Sequence, residues 1–104
     1  MQVYAKQRLP HLLKVPAVVH FASCEPLLER LDLRSWLRSG LDWLIVGGES
    51  GNPHRPMEFA WAGGLLEQCQ EHRRTFFMKQ VSAFAPKDSD IPLDLLIREF
   101  PTDK

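Results

Sequence analysis

The sequence predicts an α/β fold: a three-stranded parallel βαβαβα unit resembling half a barrel, with a helical segment in front of it. Three observations predict it. Short apolar runs rich in β-branched and aromatic residues recur about thirty residues apart, the usual length of a strand–helix–strand unit. Between them the apolar residues follow helical spacing rather than alternation. Each run ends at glycine or polar residues, as strands do where they give way to loops. Strands alternating with helices imply right-handed crossovers and hence a parallel sheet.

The elements follow in order within one domain, residues 1–104. Residues 1–14 read as the end of a preceding helix, with Leu9, Leu12 and Leu13 on one face and Pro10 near its start. Val15 to Ser23 reads as the first strand, with Pro16 at its beginning, where a ladder donor is least needed. His20 inside that run is read as a core histidine with one partner. Asp32 is the expected N-cap of a short helix carrying Leu33, Trp36 and Leu37, and Gly40 its C-terminal glycine. Trp43 to Val46 is the second strand; its unbroken apolar run predicts burial on both faces. Gly47, Gly48 and Gly51 follow, in Gly-Gly-Glu-Ser-Gly. Pro56 fits the first turn of a helix over about 57–72, with a stripe of Trp61 or Ala62, Leu65, Leu66 and Cys69. Gly63 and Gly64 within it predict close helix–sheet packing. Thr75 to Gln80 is the third strand. Residues 82–104 are a loop and a last helix, starting at Pro92 and running through Ile97.

The bulk composition excludes several classes. Thirteen basic and thirteen acidic residues cancel, so net charge points to no nucleic-acid partner. No apolar run approaches the ~20 residues that span a bilayer, and no signal peptide opens the chain, which predicts a cytoplasmic protein. Cys24 and Cys69 stand far apart and outside any metal-ligand spacing, so they are read as buried reduced thiols and no metal site is expected from this chain alone. Gly-Gly-Glu-Ser-Gly is neither a dinucleotide fingerprint nor a phosphate loop, and Ser50 lacks the context of a serine nucleophile. Trp36, Trp43, Trp61, Phe76 and Phe77 are read as core packing rather than a stacking platform for bases.

A parallel sheet gathers its strand carboxyl ends on one rim. That rim holds Glu25, Glu49, Ser50, Arg55, Lys79 and Gln80, with His54 nearby. Two readings stay open. In one, Lys79 and Arg55 hold an anion, Glu49 or Glu25 binds an amine or acts as general base, and glycine N–H groups complete the cradle. In the other, the same residues form an ion-pair network that closes the end of the sheet. No residue is assigned as catalytic.

Glu25-Pro-Leu-Leu28, Trp43-Leu-Ile-Val-Gly-Gly-Glu-Ser-Gly51, Arg55-Pro-Met57, Gln68-Cys69 and Phe76-Phe-Met-Lys-Gln80 resemble, in this order, the carboxyl-terminal portion of a phage-type radical-SAM-like protein family of undefined activity. The resemblance covers roughly residues 7–100. It implies an incomplete parallel (β/α) barrel whose amino-terminal half carries a cysteine cluster that binds an iron–sulfur cluster and S-adenosylmethionine. Neither Cys24 nor Cys69 stands in for that cluster, and Val81-Ser82 replaces the family's tryptophan and glycine. The resemblance therefore implies these cofactors only if a partner completes the site, and the isolated chain is not expected to be an enzyme.

Three strands do not close a barrel, which takes about eight. Exposed sheet edges and an apolar face predict self-association or binding of another protein. Met1 is read as the start of a short natural protein. The expected function is a small phage-derived binding protein, in one form an inhibitor of a host defence system such as an anti-CRISPR. The alternative is one half of a split radical-SAM-like enzyme, lending its strand-end residues to a shared active site.

Overall fold

Leu44 and Val46 point to one side of the second strand and are fully buried, whereas Trp43 and Ile45 point to the other and are only half-buried. This alternation sets the architecture. In a computed structural model, which describes residues 19–51 and 53–101, β1 (Phe21–Cys24), β2 (Trp43–Gly47) and β3 (Thr75–Gln80) form a parallel sheet in the order β1-β2-β3. Helices α1 (Arg34–Ser39) and α2 (Phe59–Glu71) make the crossovers. Successive crossovers that step one strand in the same direction, with the same hand, place their helices on one face. The core lies there: Cys24, Leu44, Val46, Phe76 and Met78 from the sheet meet Leu33, Leu37, Ala62, Leu65 and Cys69 from the helical side.

The expectation that β2 is buried on both faces is therefore corrected. Its second face is apolar but half-covered, because no helix crosses to that side among the described residues. Trp43 and Phe77, read as core, stand on this open face, while Phe76 is buried and Trp36 and Trp61 pack against the core.

The first strand begins at Phe21 rather than Val15 among the described residues and runs on to Cys24, which pairs with Val46. The expected helical segment over 1–14 lies outside the described residues, as does the start of the expected strand. His20 precedes the strand, and its N–H donates to Asp42 Oδ2 at 3.1 Å. Asp42 is the anchor at this end of the sheet. Its other oxygen pairs with Arg74 at 2.9 Å, both side chains being mostly buried, and its carbonyl accepts the Thr75 N–H.

Helix α1 starts at Arg34, and Asp32 holds the preceding turn by accepting the Arg34 N–H at 3.2 Å. Gly40 takes a positive φ of 132° that releases the chain toward Leu41. Helix α2 begins at Phe59, later than Pro56 implied. The segment before it is tied to the sheet instead: the Arg55 N–H donates to Glu49 and the Ser82 hydroxyl to the Arg55 carbonyl. The stripe of Ala62, Leu65, Leu66 and Cys69 is buried as its spacing predicts. Gly63 and Gly64 do not serve close packing on the sheet: a Cβ at Gly63 meets only Leu95 at 3.9 Å, and one at Gly64 meets nothing within 4 Å.

The last helix is not formed. After a short 3-10 turn at Asp88–Asp90, the chain reaches the outer edge of β3 and pairs antiparallel through Arg98 and Phe77. The Met78 N–H donates to the Ile97 carbonyl at 2.8 Å and the Glu99 N–H to the Phe76 carbonyl at 2.9 Å. An edge strand leaves these groups unpaired, and satisfying them outweighs continuing a helix. The Arg98 guanidinium adds bonds to the Met78 and Lys79 carbonyls and to Asp88, and lies 5.6 Å over the Phe77 ring.

Candidate functional site

All three strands deliver their carboxyl ends to one rim, and there the predicted residues form separate pairs. Glu25 follows β1, and its carboxylate meets Lys79 Nζ of β3 at 3.0 Å. To do so it crosses β2 over Gly47, where an added Cβ would lie 3.3 Å from Glu25 Cγ. Glu49 pairs with Arg55: Nη2 donates to Oε2 at 2.6 Å, and Nε and the backbone N–H both donate to Oε1. These bonds hold the Glu49 carboxyl down at about 2, with the Arg55 side chain the largest cause and its backbone N–H the next. Gln80 Nε2 donates to the Gly48 carbonyl at 2.8 Å while the Gly48 N–H donates to the Gln80 carbonyl at 2.9 Å. Ser50 is exposed and bridges through its backbone to Ala83.

These pairings decide what the rim can do. A carboxylate held at about 2 takes up a proton poorly near neutral pH, so Glu49 is not poised as a general base. Arg55 spends its guanidinium on Glu49 rather than on an anion. The glycine N–H groups are also engaged: Gly48 donates to Gln80, and Gly51 donates to the Ala83 and Phe84 carbonyls. Gly48 is a glycine for packing, since a Cβ would stand 2.7 Å from Ser82 Cα and 2.8 Å from the Val81 carbonyl carbon. His54 Nδ1 lies 3.0 Å from the Gly51 carbonyl. The geometry favours the ion-pair network over an open anion cradle.

Beside the rim, the open face of the sheet forms a shallow depression of about 550 Å³. Its floor is Phe21, Trp43, Ile45 and Phe77, and Phe100 from the carboxyl-terminal segment leans in from the β3 side. The rings form one cluster: Trp43 stands 5.9 Å from Phe21, 6.4 Å from Phe77 and 5.7 Å from Phe100, and Phe77 and Phe100 meet at 5.4 Å. The buried Trp43 Nε1 has no hydrogen-bond partner. Sequence reasoning expects an apolar sheet face in need of cover, but it reads Trp43 and Phe77 as core packing and so does not assign them to that face. The signal was present in the alternation of Trp43 and Ile45 against Leu44 and Val46, and of Phe77 and Lys79 against Phe76 and Met78.

Among the described residues, no group of three or more His, Cys, Asp or Glu is placed to hold a metal ion. Cys24 and Cys69 are buried free thiols, and burial pushes them up to about 11 and about 12. An iron–sulfur cluster needs closely grouped thiolates, so these two residues do not fit one. No helix among the described residues is long and apolar enough to cross a membrane.

No curated protein and no solved structure matches the chain. A family model described as "Protein of unknown function (DUF5131)" matches residues 1–99, nearly the whole sequence, and the chain therefore belongs to that family.

Proposed function

We propose that this chain is a protein-binding unit that docks through the open face of its sheet. The observation that carries the reading is the contrast between the two faces. One is sealed by α1 and α2, while the other leaves Phe21 at 52% and Phe100 at 68% exposure around a half-buried tryptophan. Parallel sheets are ordinarily covered on both faces, and an exposed aromatic patch with a polar border is a common form of protein interface. The rim supports the same reading, because its charges are spent on one another rather than aimed at a small ligand. The sequence resemblance to phage-type proteins makes a host defence component one class of partner.

A second reading has one observation in its favour. The Glu25–Lys79 pair lies at the carboxyl ends of parallel strands, where α/β enzymes place their chemistry. In that reading the chain supplies part of a barrel, and a partner supplies the cofactor ligands.

Site-specific photo-crosslinking tests the binding face. A crosslinker in place of Phe21 should yield protein adducts that excess unmodified chain competes away. One in place of Glu67, on the exposed side of α2, should not. Equal adducts from both positions, or none from position 21, would remove the open face as the docking surface.

A further inference from the structure

We infer that residues 96–101 form a releasable strap, latched by Arg98, whose opening uncovers the β3 side of the open sheet face. The inference rests on the protein-binding reading above and adds its regulation. The strap has an anchor and a hinge. Ile91 and Leu95 are buried in the core, which fixes the chain up to Leu95. There the Ile97 N–H donates to the Leu95 carbonyl at 2.7 Å, a turn only two residues along, and the chain leaves the core. Beyond it Leu96 and Phe100 are exposed and Ile97 is partly buried, so little apolar burial holds the strap. Segments with few buried contacts and exposed hydrogen bonds open at a lower free energy than the whole fold.

Side chains supply much of the hold. The Phe76 N–H donates to Glu99 Oε1 at 3.0 Å. Arg98 Nε donates to the Met78 carbonyl at 2.9 Å and Nη2 to the Lys79 carbonyl at 3.0 Å. The same guanidinium pairs at 2.7 Å with Asp88, which lies outside the strap. Asp88 is exposed, so water and salt compete for that pair. Arg98 is thus a latch at the surface rather than a buried bond. The part of the strap that covers the face is Phe100, whose ring lies 5.7 Å from Trp43 and 5.4 Å from Phe77. Opening carries Phe100 off both rings, lifts the guanidinium from Phe77 and frees the Phe76 and Met78 N–H groups. A partner protein then meets two uncovered aromatic rings beside an unpaired strand edge.

Amide hydrogen exchange read by NMR provides the test. Two amides of β3 report on different neighbours: the Met78 N–H donates to the strap and the Thr75 N–H to the Asp42 carbonyl beside β2. Relative to unfolded-chain rates, Met78 should exchange at least about tenfold faster than Thr75 in the parent protein. Low denaturant should quicken Thr75 and barely change Met78, because opening the strap exposes little surface. Arg98→Ala should speed Met78 by about tenfold or more. Should that variant fail to fold, Asp88→Asn, which removes the pair from outside the strap, should also speed Met78. Met78 and Thr75 exchanging together, with the same denaturant dependence, would overturn the strap. Met78 exchange unchanged by either substitution would overturn the latch. The crosslinker at position 21 reads the uncovering, and Arg98→Ala should raise its competed adducts. No rise while Met78 exchange quickens would overturn the strap as a cover of the docking face. Adducts absent from both proteins remove the docking reading instead, and exchange at Met78 still decides the strap.

Discussion

The Glu25 carboxylate reaches Lys79 Nζ, 3.0 Å away, by crossing β2 above Gly47, a strand position with no side chain in its path. The neighbouring Gly48 is a glycine for another reason, since it packs on the Val81–Ser82 backbone. The two adjacent glycines therefore respond differently to the same change. Gly47→Ala places its methyl against the end of a flexible side chain, which can swing aside, and the gain in backbone entropy offsets the crowding. Its stability should stay within about 1 kcal/mol of the parent. Gly48→Ala drives a methyl into backbone and should cost on the order of 3 kcal/mol. Denaturant unfolding of both variants decides the matter, and equal losses would refute the distinction.

Glu49 gives the fold a pH dependence of known sign. Its carboxyl is lowered from the ordinary 4.5 to about 2 by Arg55, so its contribution is fully present above about 4.5 and is lost as pH falls through about 2. Glu49→Gln should therefore be less stable than the parent near neutral pH. The two proteins should converge as pH drops from about 4.5 toward 2. Carboxyl chemical shifts followed by NMR should place the Glu49 midpoint near 2. A midpoint near 4.5 would show that the Arg55 contact does not persist in solution.

Gln68 is a buried polar residue that acts as a clamp. Its Oε1 accepts the Leu33 N–H at 2.7 Å and its Nε2 donates to the Leu31 carbonyl at 2.9 Å, fixing the start of α1 on α2. Gln68→Met keeps the volume but strands a buried donor and a buried acceptor, each costing about 1–3 kcal/mol. The expected loss is about 2–6 kcal/mol in thermal or chemical unfolding. A change below about 1 kcal/mol would mean that water replaces both bonds.

Cys24 and Cys69 should resist thiol reagents in the native protein. Both are buried, and burial raises them to about 11 and about 12, so the reactive thiolate is scarce at neutral pH. Modification should proceed only at the rate of unfolding and become rapid in denaturant. Fast labelling of either cysteine under native conditions would contradict the burial.

The sequence by itself determined the three strands, the two helices between them and the parallel order of the sheet. Local runs such as Thr75–Gln80 and the stripe of α2 carry their period in the residue order, and that period needs no tertiary information. It also placed Glu25, Glu49, Arg55, Lys79 and Gln80 on one rim, because parallel strands share a direction. Tertiary structure alone decided how those charges pair, Glu25 with Lys79 across β2 and Glu49 with Arg55 along the loop, since either acid had more than one base within reach. It decided that residues 97–99 close the edge of β3 instead of forming a helix, because unpaired strand groups are visible only once the sheet exists. It also decided that Trp43, Ile45 and Phe77 stand on an open face. Hydrophobicity marks a residue as one to be covered, but the side on which the crossovers fall decides which apolar face the chain itself covers.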